Sequence, residues 1–478
     1  MKHPNNDAVG SAEGVEGRRS TERNAQEDAA SRTQRREHAS IGLAGVREAA
    51  RRSKKTRFTA LLHHVTVDLL RDSFLSLKRK AAPGVDGQTW QQYEEDLESR
   101  IVRLHEAVHR GSYRALPSKR VFIPKPDGSQ RPLGIAAVED KIVQQAVVTV
   151  LNAIYENDFL GISYGFRPGR SQHDCLDALW VGISVTKVNW VLDADIRGFF
   201  DTIDHGWMMR FIEHRIGDRR VLRLIQKWLR AGVMEDGVRT PTSVGTPQGA
   251  VISPLLANIY LHYAFDLWMQ QWRSKYALGQ VIAVRYADDL VLGFQQLYDA
   301  KRFRSYLSKR LQQFGLSLHS EKTRLIRFGR FAADTCAKDG HKRPATFDFL
   351  GFTHICGRTR DGRFVLRRLS SKKRMRARLV AIKAKLKRIM HRPISTQGPW
   401  IRSVVQGYFN YHAVPGNSMR LKGFRNAVTR LWLQALRRRS QRSRLNWARY
   451  GRLVDRWIPS PRILHLAPDL RFDAKYSK

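Results

Sequence analysis

Residues 284–292, VRYADDLVL, place two adjacent carboxylates between two β-prone apolar runs. The wider stretch VIAVRYADDLVLGF reads as a hairpin with the acidic pair at its turn. Like charges side by side repel, and burying them is costly unless something compensates. Two explanations are open for the pair taken alone. One is a divalent cation, the other a solvent-exposed hairpin tip.

A second acidic strand end lies upstream in WVLDADIRGFFDTIDH. Asp193 and Asp195 alternate with apolar residues and so share a face, while Asp201 and Asp204 fall in the following turn. A two-metal phosphoryl-transfer site needs carboxylates from separate strands, converging on ions roughly 3.5–4 Å apart. Asp195 with Asp288 and Asp289 could build such a site, and bound metal would then be their counter-charge.

The surrounding chain is strongly basic, with 85 Lys and Arg against 43 Asp and Glu and a net charge of +42. That excess points to a polyanionic partner, nucleic acid before membrane. From residue 371 onward 27 Lys and Arg stand against three acidic residues, which makes the C-terminal region the first candidate for a backbone-binding surface. No run of 18 apolar residues appears, so no membrane span is expected, and the N-terminus lacks the apolar core of a signal peptide. Cys175, Cys336 and Cys356 are far apart and form no C-x-x-C pair, which excludes a disulfide scaffold or Cys-based zinc module and suits a reducing cytoplasm.

Residues 1–55 are polar and charge-mixed and read as a disordered tail. KRVFIPKPDGSQRPLGIA is a hairpin signature around Asp127-Gly128, and Ile142 to Ile154 make an apolar helix. SPLLANIYLHYAFDLW reads as a helix with Ser253 capping and Pro254 at its first position. FDFLGFTHI reads as a short strand. Met375, Leu379, Ile382, Leu386 and Ile389 step by four and three, as an amphipathic helix with a basic outer face does. The layout is a tail, a mixed α/β body and a basic helical region.

The order Asp195, then TPQGAVISPLLANIYL, then YADD resembles the palm of a reverse transcriptase. GVDG, IPKPDGSQRPLGI, SYGFRPGRS, DADIRGFFDTIDH, GLSLHSEKT and FDFLGF resemble, in order, the motif series of group II intron reverse transcriptases. VVQGYFNYHAVPGN and LWLQALRRRSQ resemble that family's maturase region. The resemblance implies a right-hand polymerase fold of the α/β class, with fingers and palm over 56–352 and a helical thumb or maturase domain over 353–478. It implies an RNA-directed DNA polymerase that also binds the encoding intron RNA and promotes splicing. Two alternatives are a reverse transcriptase recruited to host use and a splicing cofactor without polymerase activity.

By the same resemblance, Asp195, Asp288, Asp289 and the Ile196 carbonyl are the catalytic ligands of two Mg²⁺ ions. Lys125 and Arg131 grip the incoming triphosphate. Phe200 takes the position that excludes a 2′-hydroxyl, where an ordinary core role also describes its neighbour Phe199. Gln248 lies against the nucleotide and Tyr286 lines the primer side. Arg167 and Arg170 are candidates for template phosphate, with Tyr164 and Phe166 readable as core residues. Arg437, Arg438, Arg439, Arg442 and Arg444 crowd one helix end with Trp432, Trp447 and Tyr450 interleaved, and are the candidates for RNA phosphate. His205 reads as a structural residue of its turn. The expected partners are intron RNA, a DNA primer or target and dNTPs, with a homodimer left open, in a bacterial cytoplasm at the nucleoid. The Cys-paired HNH endonuclease of many family members is not expected within this chain.

Overall fold

The acidic strands pair into one antiparallel sheet. In a computed structural model, which describes residues 42–124, 130–235, 237–246, 248–340, 343–439 and 445–476, β3 (Trp190–Asp195), β6 (Val281–Tyr286), β7 (Asp289–Phe294) and β8 (Arg324–Arg327) lie in the order β6-β7-β3-β8. The sheet is central because its strands are apolar almost throughout. Val191, Leu192, Ala194, Leu290, Val291, Leu292 and Phe294 are all buried, the pattern of strands covered on both faces.

The helices Gln172–Val185, against β6 and β7, and Leu297–Gln312, against β3 and β7, pack on the sheet, and the helix Val138–Asp158 adds Ile142, Val143, Ala146, Val147, Leu151 and Ile154 to the same core. Each fully buried branched side chain contributes roughly 1.5–3 kcal/mol. Two more strands, β1 (Ser118–Pro124) and β2 (Gln130–Ile135), form the hairpin expected from their sequence. β1 also pairs in parallel with β4 (Val233–Glu235), which continues to β5 (Val238–Thr240). The stretch expected as one strand at FDFLGFTHI is a hairpin of β9 (Phe347–Phe349) and β10 (Phe352–Arg358). Leu350 and Gly351 turn it with φ of 45° and 83°, the left-handed geometry of a two-residue hairpin loop. β11 (Phe364–Ser370) completes a three-stranded sheet.

Expectation and structure part in three further places. Residues 42–52, inside the stretch expected as a disordered tail, form a helix. Its Leu43 and Ala50 are buried, and buried Arg215 donates to the carbonyls of Ser53 and Thr56 just beyond it. Ser253 does not cap: the helix Ser253–Leu261 is preceded by Ile252 at the cap position, with Pro254 in its first turn. The Ser253 hydroxyl instead shares a 2.6 Å hydrogen bond with Thr246.

The third departure is the domain border. The chain divides into a larger unit, residues 36–372 with 466–478, and a smaller one containing 373–465. β10 and β11 stay with the larger unit because Arg368 forms a buried ion pair with Asp177, 2.8 Å long, and the Trp180 indole donates to the Leu366 carbonyl. The last helix, Pro468–Tyr476, belongs there too. Its Arg471 reaches the same Asp177 at 2.6 Å, and Lys475 pairs with Asp174. Both acidic partners sit on the helix Gln172–Val185.

The smaller unit is all helical over its described residues: Lys372–Arg388, Ile394–His412, Ser418–Arg437 and Trp447–Trp457. Ile382, Leu386, Ile401, Val405, Phe424, Trp432 and Tyr450 fill its core. The buried Gln397 amide donates to the carbonyls of Ile389, Met390 and Arg392, and its oxygen accepts from the Trp432 indole at 3.0 Å. Those carbonyls lie just past the first helix, where intrahelical donors run out, so one side chain helps to satisfy the helix end.

Candidate active site

β7 begins at Asp289, and its ladder with β3 sets Asp289 opposite Asp195. The loop between β6 and β7 has only two residues, Ala287 and Asp288, because Tyr286 pairs with Asp289. Ala287 has φ of 55°. A non-glycine residue in the left-handed region costs on the order of 1–3 kcal/mol and persists only where surroundings enforce it. The hairpin and its acidic turn therefore form as the alternation of VIAVRYADDLVLGF predicts.

The three carboxylates are not equivalent. Burial first, then the Asp195 charge, pushes the Asp288 carboxyl above the usual carboxylate range, while Arg131 and Arg285 oppose the shift. Asp289 is exposed, and its charge bears on buried Cys175 of the helix Gln172–Val185, whose thiol is pushed up chiefly by burial. Asp195 is half-buried with Lys322 Nζ 3.1 Å from its carboxylate. The fold thus faces Asp288 toward Asp195, and Lys322 supplies Asp195 with a cation. Asp193, on the same strand, is held at 3.3 Å by Arg324 and pushed up mainly by burial.

Ile196 follows Asp195, buried, and bridges to Leu318. In that bridge Arg197 N–H donates to the Ser317 carbonyl and the Asp195 carbonyl accepts from His319 N–H. The Ile196 carbonyl itself is left pointing away from Leu318, toward the side of β3 where β7 and its acidic turn lie. No group of three or more His, Cys, Asp or Glu among the described residues converges tightly enough to cage an ion. Magnesium does not need such a cage: it keeps several waters and takes one or two carboxylates plus substrate phosphates. Asp195, Asp288 and the Ile196 carbonyl fit that donor set.

Around these groups the expected substrate residues fall as follows. Arg131 is exposed on β2 and close enough for its charge to act on Asp288. Lys125 lies outside the described residues, as does Arg442. Phe200 is half-buried beside Phe199, ring centroids 5.4 Å apart, and Phe199 is the core residue at 2% exposure. The Phe200 carbonyl accepts from Thr246 N–H, and Gly134 N–H of β2 donates to the Gln248 carbonyl at 2.6 Å. Gly249 has φ of 108°, and a Cβ there would sit 2.8 Å from the Gly134 carbonyl oxygen. Gln248 and Gly249 are thereby laid against β2 of the β1–β2 hairpin. His205 bonds the Gly245 carbonyl, consistent with a structural part in its turn.

Two nucleic-acid candidates are engaged inside the fold. Arg167 is buried, its guanidinium paired with Glu156 at 2.9 Å and donating to the carbonyls of Leu160 and Ser163. It braces the loop that carries Leu160 and Ser163. Arg439 donates to the carbonyls of Met390 and Arg392, so it fastens one helix end of the smaller unit to another. Arg170 is half-exposed, bonded to the Gly161 and Ser163 carbonyls and stacked on Tyr164. Tyr286 is half-buried near the Phe166 ring, while Arg437 and Arg438 are exposed. Of the interleaved aromatics, Trp432 and Tyr450 are core and only Trp447, 62% exposed, is open for stacking.

Residues 123–354 match the family model of the reverse transcriptase, an RNA-dependent DNA polymerase. They form a reverse transcriptase domain. Protein YkfC of Escherichia coli is 37% identical over 248 residues, 46% of this chain and 65% of that protein. Group II intron-encoded protein LtrA of Lactococcus lactis is 39% identical over 180 residues, 37% of this chain and 30% of LtrA. A putative COX1/OXI3 intron 1 protein of Saccharomyces cerevisiae is 28% identical over 60% of this chain and 38% of its own length. The reverse transcriptase domain is thus similar to that of group II intron-encoded LtrA, and the chain spans less than two thirds of the length of each of these relatives. Among the described residues, no helix is long and apolar enough to cross a membrane.

Not anticipated from the sequence were Lys322 on Asp195 and the buried set behind the acidic turn: Arg285, Asp266, Asn258 and Ser163. The one available signal was an arginine within the apolar run VIAVRY.

Proposed function

We propose that this protein is an RNA-directed DNA polymerase working through two magnesium ions, and that its basic helical unit binds the intron RNA and promotes splicing. The observation that carries the reading is the ladder that sets Asp195 on β3 against the Asp288–Asp289 turn of the next strands. The primer 3′-oxygen would bond to the α-phosphorus of the dNTP while the bond to the β-phosphate oxygen breaks and pyrophosphate leaves.

Magnesium bound by Asp195, Asp288 and the Ile196 carbonyl would supply Lewis acidity, favouring the ionised primer hydroxyl and neutralising phosphate charge. The chain's own residues set the rest. Arg131 offers a planar fork to the triphosphate from β2. Phe200 closes the space beneath the sugar, and Gln248, fixed to Gly134, lies along the nucleotide. Lys322, now on Asp195, is free to swing to a phosphate because it is largely exposed.

The exposed cations of Lys372–Arg388, with Arg437 and Arg438, support the RNA-binding reading, since phosphate neutralisation dominates such affinity. The test of polymerase activity is extension of oligo(dT) on poly(rA) with dTTP and Mg²⁺. Metal-dependent product is expected, and its absence from well-folded protein would refute the proposal.

A further inference from the structure

Directly behind the acidic turn lies a charge that solvent does not reach. Arg285, on β6, is 0% exposed, and so is its partner Asp266. Their fork is two-pronged, Nε to Oδ1 at 2.8 Å and a terminal nitrogen to Oδ2 at 2.6 Å. The remaining donors reach the Asn258 amide oxygen at 2.9 Å, the Ser163 hydroxyl at 2.7 Å and the Ala287 carbonyl at 3.0 Å. Asp266 closes a π-helical turn, His262–Asp266, between the helices Ser253–Leu261 and Leu267–Lys275. Such single-turn insertions re-aim side chains and gather at functional sites.

Stability alone does not account for this pair. A buried ion pair can be replaced by packed apolar residues with little loss, because desolvation cancels much of the attraction. What apolar residues cannot do is hold the Ala287 carbonyl, the group immediately before Asp288. The surroundings converge on the same spot. Asn258 also donates to the Gly165 carbonyl at 2.7 Å. A Cβ on Gly165 would stand 2.3 Å from the Ala287 nitrogen. Arg285 N–H and C=O bond Ile162 and Tyr164 on the same neighbouring segment.

We infer that Arg285 is a positioning residue of the catalytic turn: it fixes the Ala287 carbonyl and so aims the Asp288 carboxylate at Asp195 before metal arrives. The inference rests on the two-carboxylate metal site proposed above. Asp266 and Asn258 are its frame, holding the guanidinium in the one orientation that serves the turn. Left to itself, the left-handed Ala287 would relax and carry Asp288 with it.

The test uses the full chain and Mn²⁺ as probe, with bound ion measured by electron paramagnetic resonance without primer or nucleotide. Arg285→Met with Asp266→Leu removes both charges; it should still fold, melting somewhat below wild type because Asn258, Ser163 and the Ala287 carbonyl lose a donor. It should bind Mn²⁺ about tenfold more weakly, the usual scale for losing a group that orients a metal ligand. Extension should fall in step and recover in part at high metal. Arg285→Lys keeps the charge for Asp266 but loses the fork, so it should fold and still weaken Mn²⁺. Should the double variant fail to fold, this single one decides. Wild-type Mn²⁺ affinity in a folded Arg285 variant overturns the inference. If Asp195→Asn binds Mn²⁺ as wild type does, the metal-site reading itself is at fault.

Discussion

Gly165 shows how narrowly the catalytic turn is held. With a methyl there meeting the Ala287 backbone at 2.3 Å, Gly165→Ala should displace the turn and lower primer extension at least tenfold. Gly161→Ala, where a Cβ meets nothing within 4 Å, should leave extension unchanged, and the pair of variants assayed together separates local displacement from general damage. Phe200→Val should raise the ratio of ribonucleotide to deoxynucleotide incorporation, with dNTP binding through Arg131 little altered. An unchanged ratio would move the gate to another residue. At this scale the sequence was legible where chemistry follows local pattern. Asp195, Asp288 and Asp289 could be placed because alternation and a two-residue turn fix where they point. Arg167 and Arg439 could not: an arginine that braces carbonyls is spelled like one that faces phosphate, and its partners Glu156 and Met390 are 11 and 49 residues away.

Between elements, the three-stranded sheet of β9, β10 and β11 carries its own pH sensor. Burial above all, then the Arg368 charge, holds the His354 imidazole down to about 3, against roughly 6.5 in an unfolded chain. The unfolded state therefore binds a proton between those values and the folded state does not. Stability is complete above about pH 6.5 and declines as pH falls toward 3. His354→Leu should flatten that decline, as read by melting temperature from pH 7 to 4; an identical slope in both proteins would contradict the assignment. The hairpins here were legible from their turn residues and β-prone runs. The helix at 42–52 and the return of Pro468–Tyr476 to Asp174 and Asp177 were not, because both depend on partners far along the chain.

The whole molecule combines an acidic centre with a net charge of +42. If the smaller unit grips RNA phosphates, Arg437→Ala with Arg438→Ala should make the slope of log affinity against log salt shallower. The change should be about 1.5 if both touch phosphate, at roughly 0.7–0.9 per contact. Arg439→Ala should act differently, lowering the melting temperature modestly because the Met390 and Arg392 carbonyls lose one of their donors and keep only Gln397. The central claim, though, is that Asp195 and Asp288 share one metal-dependent site across β3 and the β6–β7 turn. The most direct measurement is primer extension by Asp288→Asn beside wild type on the same RNA template, with circular dichroism showing both folded. A drop of about a thousandfold or more is predicted, since removing one ligand charge undoes the site's main electrostatic stabilisation. Extension within a few-fold of wild type would contradict it.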